Sequence, residues 1–229
     1  MICFLSAMEA EAQPVLRKST ILGEERIGFA RLYRCSYEGV PFFFAVCGIG
    51  KVLSASGLSG IIVAHPEIDS FLNLGIGGSL DAEKAGLLSA VIGTSFVQHD
   101  MDTTSFGDPK GYLNGLDTVE IKAEDDVVSL LQKACQECGL AVYKGLISSG
   151  DSFVTDEEKK RGFVEDFGAI SVDMEAAAYA ETAAVYHKGF AALRIISDAV
   201  DHQNEYLRYK KQACEIGGEV ALKFLSIHL

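Results

Sequence analysis

The sequence predicts an α/β protein in which a central, mixed and mostly parallel β-sheet is flanked by helices. Short apolar runs typical of buried strands alternate along the chain with longer segments of helical periodicity. No linker, charge block or internal repeat interrupts this alternation. We therefore expect one domain over residues 1–229.

In the first half of the chain, strands are predicted where apolar and β-branched residues cluster, as in strands buried on both faces. The turn Glu38-Gly39 joins two such runs and predicts a hairpin. The predicted elements are a strand over 1–6, a helix over 9–18, hairpin strands over 31–37 and 40–47, a helix over 51–65 and strands over 70–74 and 88–97.

The second half continues the alternation, beginning with an amphipathic helix that Gly139 ends. The predicted elements are a helix over 123–139, a strand over 141–148, a helix over 156–167, a strand over 169–172, a helix over 175–187, a strand over 190–197 and a helix over 204–228. Ligands of such sheets bind at the carboxyl ends of the strands, so functional residues are expected where strands pass into loops.

The charge balance excludes some classes of partner. The formal net charge is −12 and the pI is about 4.8. An acidic surface does not suit binding to nucleic-acid phosphates or to anionic membranes. The N-terminus lacks the basic region of a signal peptide, and no apolar run reaches the ~18 residues of a membrane span. We therefore expect a cytoplasmic protein.

The six cysteines are scattered through apolar stretches, as is typical of reduced thiols packed in a core. Cys135 and Cys138 have CxxC spacing, but no second CxxC or suitably spaced histidine accompanies them. We interpret them as ordinary helix residues, and no metal or organic cofactor is implied.

Acids and glycines follow the first strands. Glu9 and Glu11 come directly after the first strand, where acids either complement a helix dipole or carry chemistry. Glycines at 48–50 and 75–78 follow the next strands and allow a backbone to approach a ligand closely. Neither run matches a dinucleotide or triphosphate motif.

Polar residues also follow later strands. The loop over 148–154 ends in Phe153-Val154, which suits either a helix-capping staple or recognition of a flat heterocycle. Asp173 and Glu175 precede a helix, where acids are common caps. Arg194 within an apolar strand is costly unless it is paired, and with Asp198 at the end of that strand it is a candidate for function.

Six motifs in this order, from residue 7 to residue 201, together resemble a known family: AMEAEA, GIGKV, QHDMDTTSFGD, SSGDSFV, VDMEAAA and RIISDAVD. They are similar to those of the 5′-methylthioadenosine/S-adenosylhomocysteine nucleosidases, in the nucleoside phosphorylase superfamily. The resemblance implies a nucleoside phosphorylase-like fold, a homodimer, and release of adenine plus methylthioribose or S-ribosylhomocysteine in methionine salvage.

The resemblance also implies roles for the polar residues of these motifs. Glu11 would activate the hydrolytic water, and Asp198 would protonate N7 of adenine. Glu175 would bind the ribose hydroxyls, and Arg194 would help to position the water. These types suit glycosidic cleavage, which needs an acid for the leaving group and a base for water.

The apolar members of the expected site follow from the same motifs. Phe153 would stack on adenine, the backbone of Val154 would read the adenine edge, and Met174 would pack on the ribose. Phe106 would cross to the 5′-substituent pocket of a neighbouring subunit. The remaining expected substrate-binding residues are Met8, Ile49, Gly77 and Ser197.

The residues favour water over phosphate as the nucleophile. Phosphorylases of this superfamily hold phosphate with arginines in the first loop and just before the glycine turn. Here the first loop carries Glu9 and Glu11, no arginine precedes Arg17, and Asn73 precedes the glycines. Acids at these points would repel an anion.

The sequence departs from the family at several positions. Ile76 stands where relatives often have serine, Asp173 replaces a glutamate, and Asn114 lies near a proline of some relatives. The segment 205–209 also differs, with Tyr206 and Leu207 as expected pocket covers. These departures leave the 5′-substituent preference open.

Three alternatives stay open from sequence alone. A hydrolase of another purine nucleoside, such as futalosine, would need a 5′ pocket for a large aromatic acid, and the motif over 98–108 argues against it. A purine nucleoside phosphorylase would require phosphate. A non-catalytic nucleoside-binding protein would not require the acid–base pair of Glu11 and Asp198.

Overall fold

A computed structural model describes residues 1–199 and 202–227 of the chain. Its strands are β1 (Ile2–Ser6), β2 (Thr20–Ile27), β3 (Ala30–Tyr37), β4 (Val40–Val46), β5 (Ser70–Ser79), β6 (Ala90–Gln98), β7 (Ile121–Lys122), β8 (Val142–Ser149), β9 (Ala169–Asp173) and β10 (Gly189–Asp198). Its helices are α1 (Glu9–Leu16), α2 (Lys51–Ala64), α3 (Asp125–Glu137), α4 (Glu157–Phe167), α5 (Ala176–Val185) and α6 (His202–Ile227), with a 3₁₀ turn at Thr104–Phe106.

The centre of the sheet is parallel, in the order β4-β1-β5-β10. Phe4 of β1 lies opposite Phe44 of β4 and Leu72 of β5. Successive residues of a strand point to opposite faces, so Phe4 packs into the layer of α1, α3 and α6. Its neighbour Leu5 packs into the layer of α2 and α5. The predicted α/β class, a mixed sheet flanked by helices, is confirmed.

Five strands close into a ring, which the sequence did not predict. The pairings run β5-β10-β6-β8-β9 and return to β5. Strand β5 makes this possible because it continues to Ser79, whereas we expected a turn after Leu74. Its first residues pair with β1, and its last residues, Gly78 and Ser79, pair with β9.

The hairpin prediction is confirmed. Glu38 and Gly39 have φ of 51° and 86°, and Tyr37 pairs with Val40 directly across the turn. Two central residues with positive φ are typical of a type I′ turn, whose twist matches that of paired strands. The neighbouring strand β2 was missed, because it lies at the edge of the sheet, is largely exposed and lacks an alternating apolar pattern.

Element ends differ from the predictions by a few residues. Helix α4 begins after Asp156, whose carboxylate accepts hydrogen bonds from Glu158 N (2.8 Å) and Lys159 N (3.0 Å) and thereby caps the helix. Helix α6 begins at His202 rather than at residue 204. Its predicted end at residue 228, and residues 200 and 201 of the motif RIISDAVD, lie outside the described residues.

Two further features of the described chain bear on the expectations about its cysteines and about membrane spans. All six cysteines are unpaired, and Cys135 is buried on α3 within the apolar core. In residues 1–199 and 202–227, no helix combines the length and apolarity that crossing a bilayer requires.

The aromatic centre of the core yields a prediction. Phe224 of α6 is fully buried and meets Phe4 edge-on, with ring centroids 6.2 Å apart. We expect Phe224→Ala to lower the free energy of unfolding by about 3–5 kcal/mol, because it leaves a cavity that the sheet cannot fill. Urea denaturation measures this loss.

The matched control is Val63→Ala on α2, where the side chain is 69% exposed. It should change the free energy of unfolding by no more than about 0.5 kcal/mol. A loss of less than about 1 kcal/mol for Phe224→Ala would contradict the packing described.

Candidate active site

A cavity opens where β1, β5, β9 and β10 pass into their loops. It encloses about 600 Å³ of space between protein atoms, part of it open to solvent. Ten of the twelve predicted site residues line it: Met8, Glu11, Ile49, Gly77, Phe153, Val154, Met174, Glu175, Ser197 and Asp198. Arg194 lies beneath the cavity, and Phe106 lies outside it.

Glu11 is held in one orientation by backbone donors. Its Oε2 accepts hydrogen bonds from Ala7 N (3.1 Å) and Met8 N (3.0 Å), and its Oε1 accepts one from Ile76 N (3.1 Å). Burial raises the pKa of Glu11, although Arg194 and these N–H groups act in the opposite direction. The carboxyl group is therefore fixed in place and is a stronger base than an exposed glutamate.

Arg194 is the buried cation beneath the cavity, and its partner is Asp173. The guanidinium pairs with the Asp173 carboxylate and donates to Asn73 Oδ1 and to the carbonyl of Leu193 (3.0 Å). Arg194 is 1% exposed, so a partner is obligatory. This pairing could not be predicted from sequence alone, because an acid at the position of Asp173 is equally typical of a helix cap.

Asp173 both pairs with Arg194 and caps α5. Its carboxylate accepts hydrogen bonds from Glu175 N (3.3 Å) and Ala176 N (3.2 Å) at the start of α5, and from the Ser149 hydroxyl of β8. Asp173 therefore reaches Arg194 and links β8, β9, β10 and α5.

Glu175 completes a buried group of carboxylates. Its Oε1 accepts a hydrogen bond from Gly50 N (3.0 Å). Burial and the neighbouring Asp173 raise the pKa of Glu175 to about 8, while Arg194 lowers it. Glu11 adds to the repulsion. The single cation, Arg194, does not balance the three carboxylates of Glu11, Asp173 and Glu175. At neutral pH this group therefore retains a proton.

Asp198 stands at the end of β10, apart from this group. Its Oδ1 accepts a hydrogen bond from Ser197 Oγ (2.8 Å), and the residue is 2% exposed. Burial raises the pKa of Asp198, and the Ser197 hydroxyl and the Lys160 ammonium partly counteract this rise. A carboxyl group that keeps its proton to higher pH is suited to donate it.

The glycines of β5 provide the space for these acids. A Cβ at Gly75 would lie 3.0 Å from Glu11 Oε1 and 3.3 Å from Arg194 Cζ. A Cβ at Gly78 would lie 3.0 Å from Asp198 Oδ2. We predicted a turn at these glycines, but they are strand residues whose missing side chains let the charged groups approach.

The glycine loop before α2 is held by a polar network that the sequence did not reveal. Gly50 has a φ of 91°, and a Cβ there would lie 2.9 Å from Asp151 Oδ1. Asp151 accepts a hydrogen bond from Lys51 N (2.8 Å), and Lys51 Nζ pairs with Asp100 Oδ1 (2.6 Å). These contacts set the position of Gly50 N, which holds Glu175.

Aromatic residues form one wall of the cavity. Phe153 is 46% exposed and meets Tyr206 edge-on, with centroids 5.3 Å apart. Tyr206 lines the cavity as expected, whereas Leu207, the other expected cover, is 69% exposed and does not. His99 stacks on Phe163 at 4.0 Å and takes no part in the lining.

The remaining family departures take different positions. Ile76 donates its N–H to Glu11, and its side chain lines the cavity where a serine would offer a hydroxyl. Asn114 is exposed, and Phe106 on the 3₁₀ turn is 86% exposed.

Within the described part of the chain, no three His, Cys, Asp or Glu side chains are grouped to hold a metal ion.

The fold and the site define an α/β enzyme whose cavity is lined by buried carboxyl groups. A sequence model of the phosphorylase superfamily matches residues 1–226. The 5′-methylthioadenosine/S-adenosylhomocysteine nucleosidase of Actinobacillus succinogenes is 33% identical over 223 residues, 94% of this chain and 95% of that protein. The chain belongs to the phosphorylase superfamily and, within it, to the 5′-methylthioadenosine/S-adenosylhomocysteine nucleosidases.

Solved structures agree with this assignment. A mutant of the Helicobacter pylori nucleosidase with 5′-methylthioadenosine in its active site matches with a TM-score of 0.92 and 26% identity, over 100% of this chain and 98% of that one. The futalosine hydrolase of Helicobacter pylori matches with a TM-score of 0.91 and 26% identity, over 100% and 97%.

The raised pKa of Glu175 gives a stability prediction. The folded protein holds this proton up to about pH 8, whereas a glutamate with the ordinary pKa of 4.5 loses it earlier, so stability falls as pH rises between the two. Glu175→Gln keeps an acceptor for Gly50 N and cannot ionise. We expect its melting temperature to exceed that of the wild type by at least about 3 °C at pH 9, and by less at pH 6.

Thermal melts at both pH values measure the difference. Glu158→Gln, at an exposed position on α4, is the matched control and should shift the melting temperature equally at both. An equal gain for Glu175→Gln at pH 6 and pH 9 would contradict the buried-carboxylate account.

Proposed function

We propose that this enzyme hydrolyses the N-glycosidic bond of 5′-methylthioadenosine and S-adenosylhomocysteine, releasing adenine plus methylthioribose or S-ribosylhomocysteine. The observation that carries the proposal is that two separate buried carboxyl groups, Glu11 and Asp198, line one cavity and both have raised pKa values. Glycosidic hydrolysis needs such a pair, one as base and one as acid.

In this proposal Asp198 donates the proton that allows adenine to leave. Adenine leaves poorly as an anion, so a proton must reach N7 as the bond to the ribose breaks. Burial keeps Asp198 protonated to higher pH, and the Ser197 hydroxyl holds its carboxyl group in place. A positioned acid of this kind contributes about 10²–10⁴-fold to the rate.

Glu11 activates the water in the same scheme. Three backbone N–H groups fix its carboxylate, and its raised pKa makes it a better base. Ile76 contributes only its backbone to this arrangement, so Glu11 carries more of the water binding than it would beside a serine. Arg194, engaged with Asp173, acts on the water through the field it adds beside Glu11.

The remaining lining residues bind the nucleoside. Glu175, held by Gly50 N, accepts hydrogen bonds from the ribose hydroxyls. Met174 packs against the ribose. Phe153 stacks on adenine, and the backbone of Val154 reads the edge of the base.

Water is the nucleophile rather than phosphate. Among the described residues that line the cavity there is no Lys, Arg or His. The nearest buried guanidinium, Arg194, is already paired with Asp173. A phosphate dianion would meet Glu11 and Glu175 without a free cation, which is electrostatically unfavourable.

A second candidate substrate is futalosine. The futalosine hydrolase of Helicobacter pylori is as similar to this chain as the nucleosidase of that organism, at 26% identity each. The acid–base pair would serve both reactions, so the 5′ end of the cavity decides between them. Comparing kcat/KM for futalosine and 5′-methylthioadenosine separates the two, and we expect the thioether to be preferred.

We also propose a homodimer in which Phe106 enters the partner's 5′ pocket. Phe106 is 86% exposed and lies outside its own cavity. Ile49 at the cavity and Val52 at the start of α2 are also exposed, at 52% and 76%. These exposed apolar side chains support the proposal, because a partner subunit would cover them.

The cellular setting is part of the proposal. The whole chain, residues 1–229, forms a single nucleosidase domain that works in the cytoplasm, where its unpaired cysteines stay reduced. Its products place it in methionine salvage and nucleoside catabolism.

The assigned roles predict two losses of activity. Asp198→Asn and Glu11→Gln should each lower the rate of adenine release by about 10²–10⁴-fold, because each removes a proton donor or acceptor. Binding of 5′-methylthioadenosine, measured by calorimetry, should persist. Asp126→Asn, at an exposed position on α3, is the control and should keep full activity. Retention of more than about a tenth of the rate by either site variant would overturn its role.

The interface predicts a separate effect for Phe106→Ala. We expect kcat/KM for 5′-methylthioadenosine to fall by about tenfold or more, since the 5′-substituent loses an apolar contact. Leu22→Ala, on the exposed edge strand β2, should leave it unchanged. Sedimentation measures the oligomeric state, and a fully active monomer at micromolar concentration would contradict the shared site.

A further inference from the structure

A buried lysine lies behind Asp198. Lys160 of α4 is 4% exposed. Its Nζ is 2.9 Å from His202 Nδ1, 3.5 Å from the carbonyl oxygen of Ala199 and 3.9 Å from Glu157 Oε1. Burying an ammonium group is costly unless it is paired and hydrogen-bonded, so these contacts are needed. The family motifs did not identify this residue.

The contacts of Lys160 converge on the peptide that follows Asp198. The carbonyl of Ala199 faces the Lys160 ammonium, and the N–H of Ala199 donates to Glu205 Oε2 at 2.7 Å. Opposite charges from α4 and α6 therefore hold the two polar groups of one residue. Ser197 bonds to the Asp198 carboxyl from the other side.

His202 connects the lysine to the surface. Its Nε2 lies 2.8 Å from Glu157 Oε1, and its Nδ1 faces Lys160 Nζ. An ammonium group only donates, so Nδ1 accepts and Nε2 carries the proton that is donated to Glu157. This tautomer leaves the histidine neutral and Lys160 as the cation next to Asp198.

We infer that Lys160 is a positioning residue for Asp198: its ammonium group, with Glu205 opposite, fixes the residue after the acid and sets the field in which the acid holds its proton. This inference rests on the proposed role of Asp198 as the proton donor. Lys160 does not line the cavity and does not touch the substrate site.

The charges around Asp198 act in opposite directions. Burial raises the pKa of Asp198, and Glu205 raises it further, whereas the Ser197 hydroxyl and the Lys160 ammonium lower it; His202 lowers it only when it is protonated. Burial lowers the pKa of Lys160, while Asp198, Glu157 and Glu205 favour its charged form. Removing either neighbouring charge should therefore move the titration of Asp198 in a known direction.

The test is the pH profile of the single-turnover rate of adenine release from 5′-methylthioadenosine. The rate falls at high pH as the acid loses its proton. We call this fall the high-pH limb of the profile. In Lys160→Met the loss of a cation should move the limb to higher pH by about one unit. Misplacement of the acid should lower kcat by about tenfold or more, with KM changed less than about threefold.

A second variant predicts the opposite shift. Glu205→Gln keeps an oxygen for Ala199 N but removes a negative charge, so the limb should move to lower pH. Lys160→Arg keeps the charge and should leave the limb at its wild-type position. Lys159→Met, at the neighbouring exposed position of α4, is the matched control and should leave both rate and profile unchanged.

The outcomes separate the inference from the proposed function. Failure of the wild type to release adenine would contradict the proposed function itself. An active wild type with an unmoved limb in both Lys160→Met and Glu205→Gln would overturn the role of Lys160, even if Lys160→Met lowered the melting temperature. If Lys160→Met does not fold, Glu205→Gln decides alone: a downward shift supports the inference, and none refutes it.

Discussion

The ion pair between Arg194 and Asp173 is the constraint on which the rest of the site depends. It joins Asp173 at the end of β9 to Arg194 of β10, and Asp173 also caps α5 and binds the Ser149 hydroxyl of β8. Loss of either partner would leave a buried charge without compensation, at a cost of about 3–5 kcal/mol. The pair therefore holds together the strands whose ends form the cavity, and it supplies the positive field beside Glu11.

A single guanidinium does not neutralise the carboxylates gathered around it, so burial and this imbalance raise the pKa of Glu175 to about 8. Glu11 and Glu175 both have raised pKa values, and so does Asp198, which lies apart from them at the end of β10. Proteins accept such destabilising groups where chemistry needs them. The fold accommodates them through missing side chains at the glycines of β5 and through backbone N–H groups aimed at Glu11.

Local sequence signals made much of the fold and of the candidate site predictable. The hairpin at Glu38-Gly39 and the strand–helix alternation are encoded in short stretches, and the motifs lie where strands end. Long-range pairings were not predictable. The ring closure depends on β5 continuing through glycines that resemble a turn, and the partner of Arg194 was one of several acids near a helix start. Lys160 carries no motif at all, since its role depends only on what α4 packs against.

The central claim is that water, activated by Glu11, attacks the ribose while Asp198 protonates adenine. The most direct measurement is release of adenine from 5′-methylthioadenosine in phosphate-free buffer and again with phosphate added. We predict equal rates in both, with free methylthioribose as the second product. Release that requires phosphate, with a sugar phosphate as the product, would contradict the assignment of Glu11 and make the enzyme a phosphorylase.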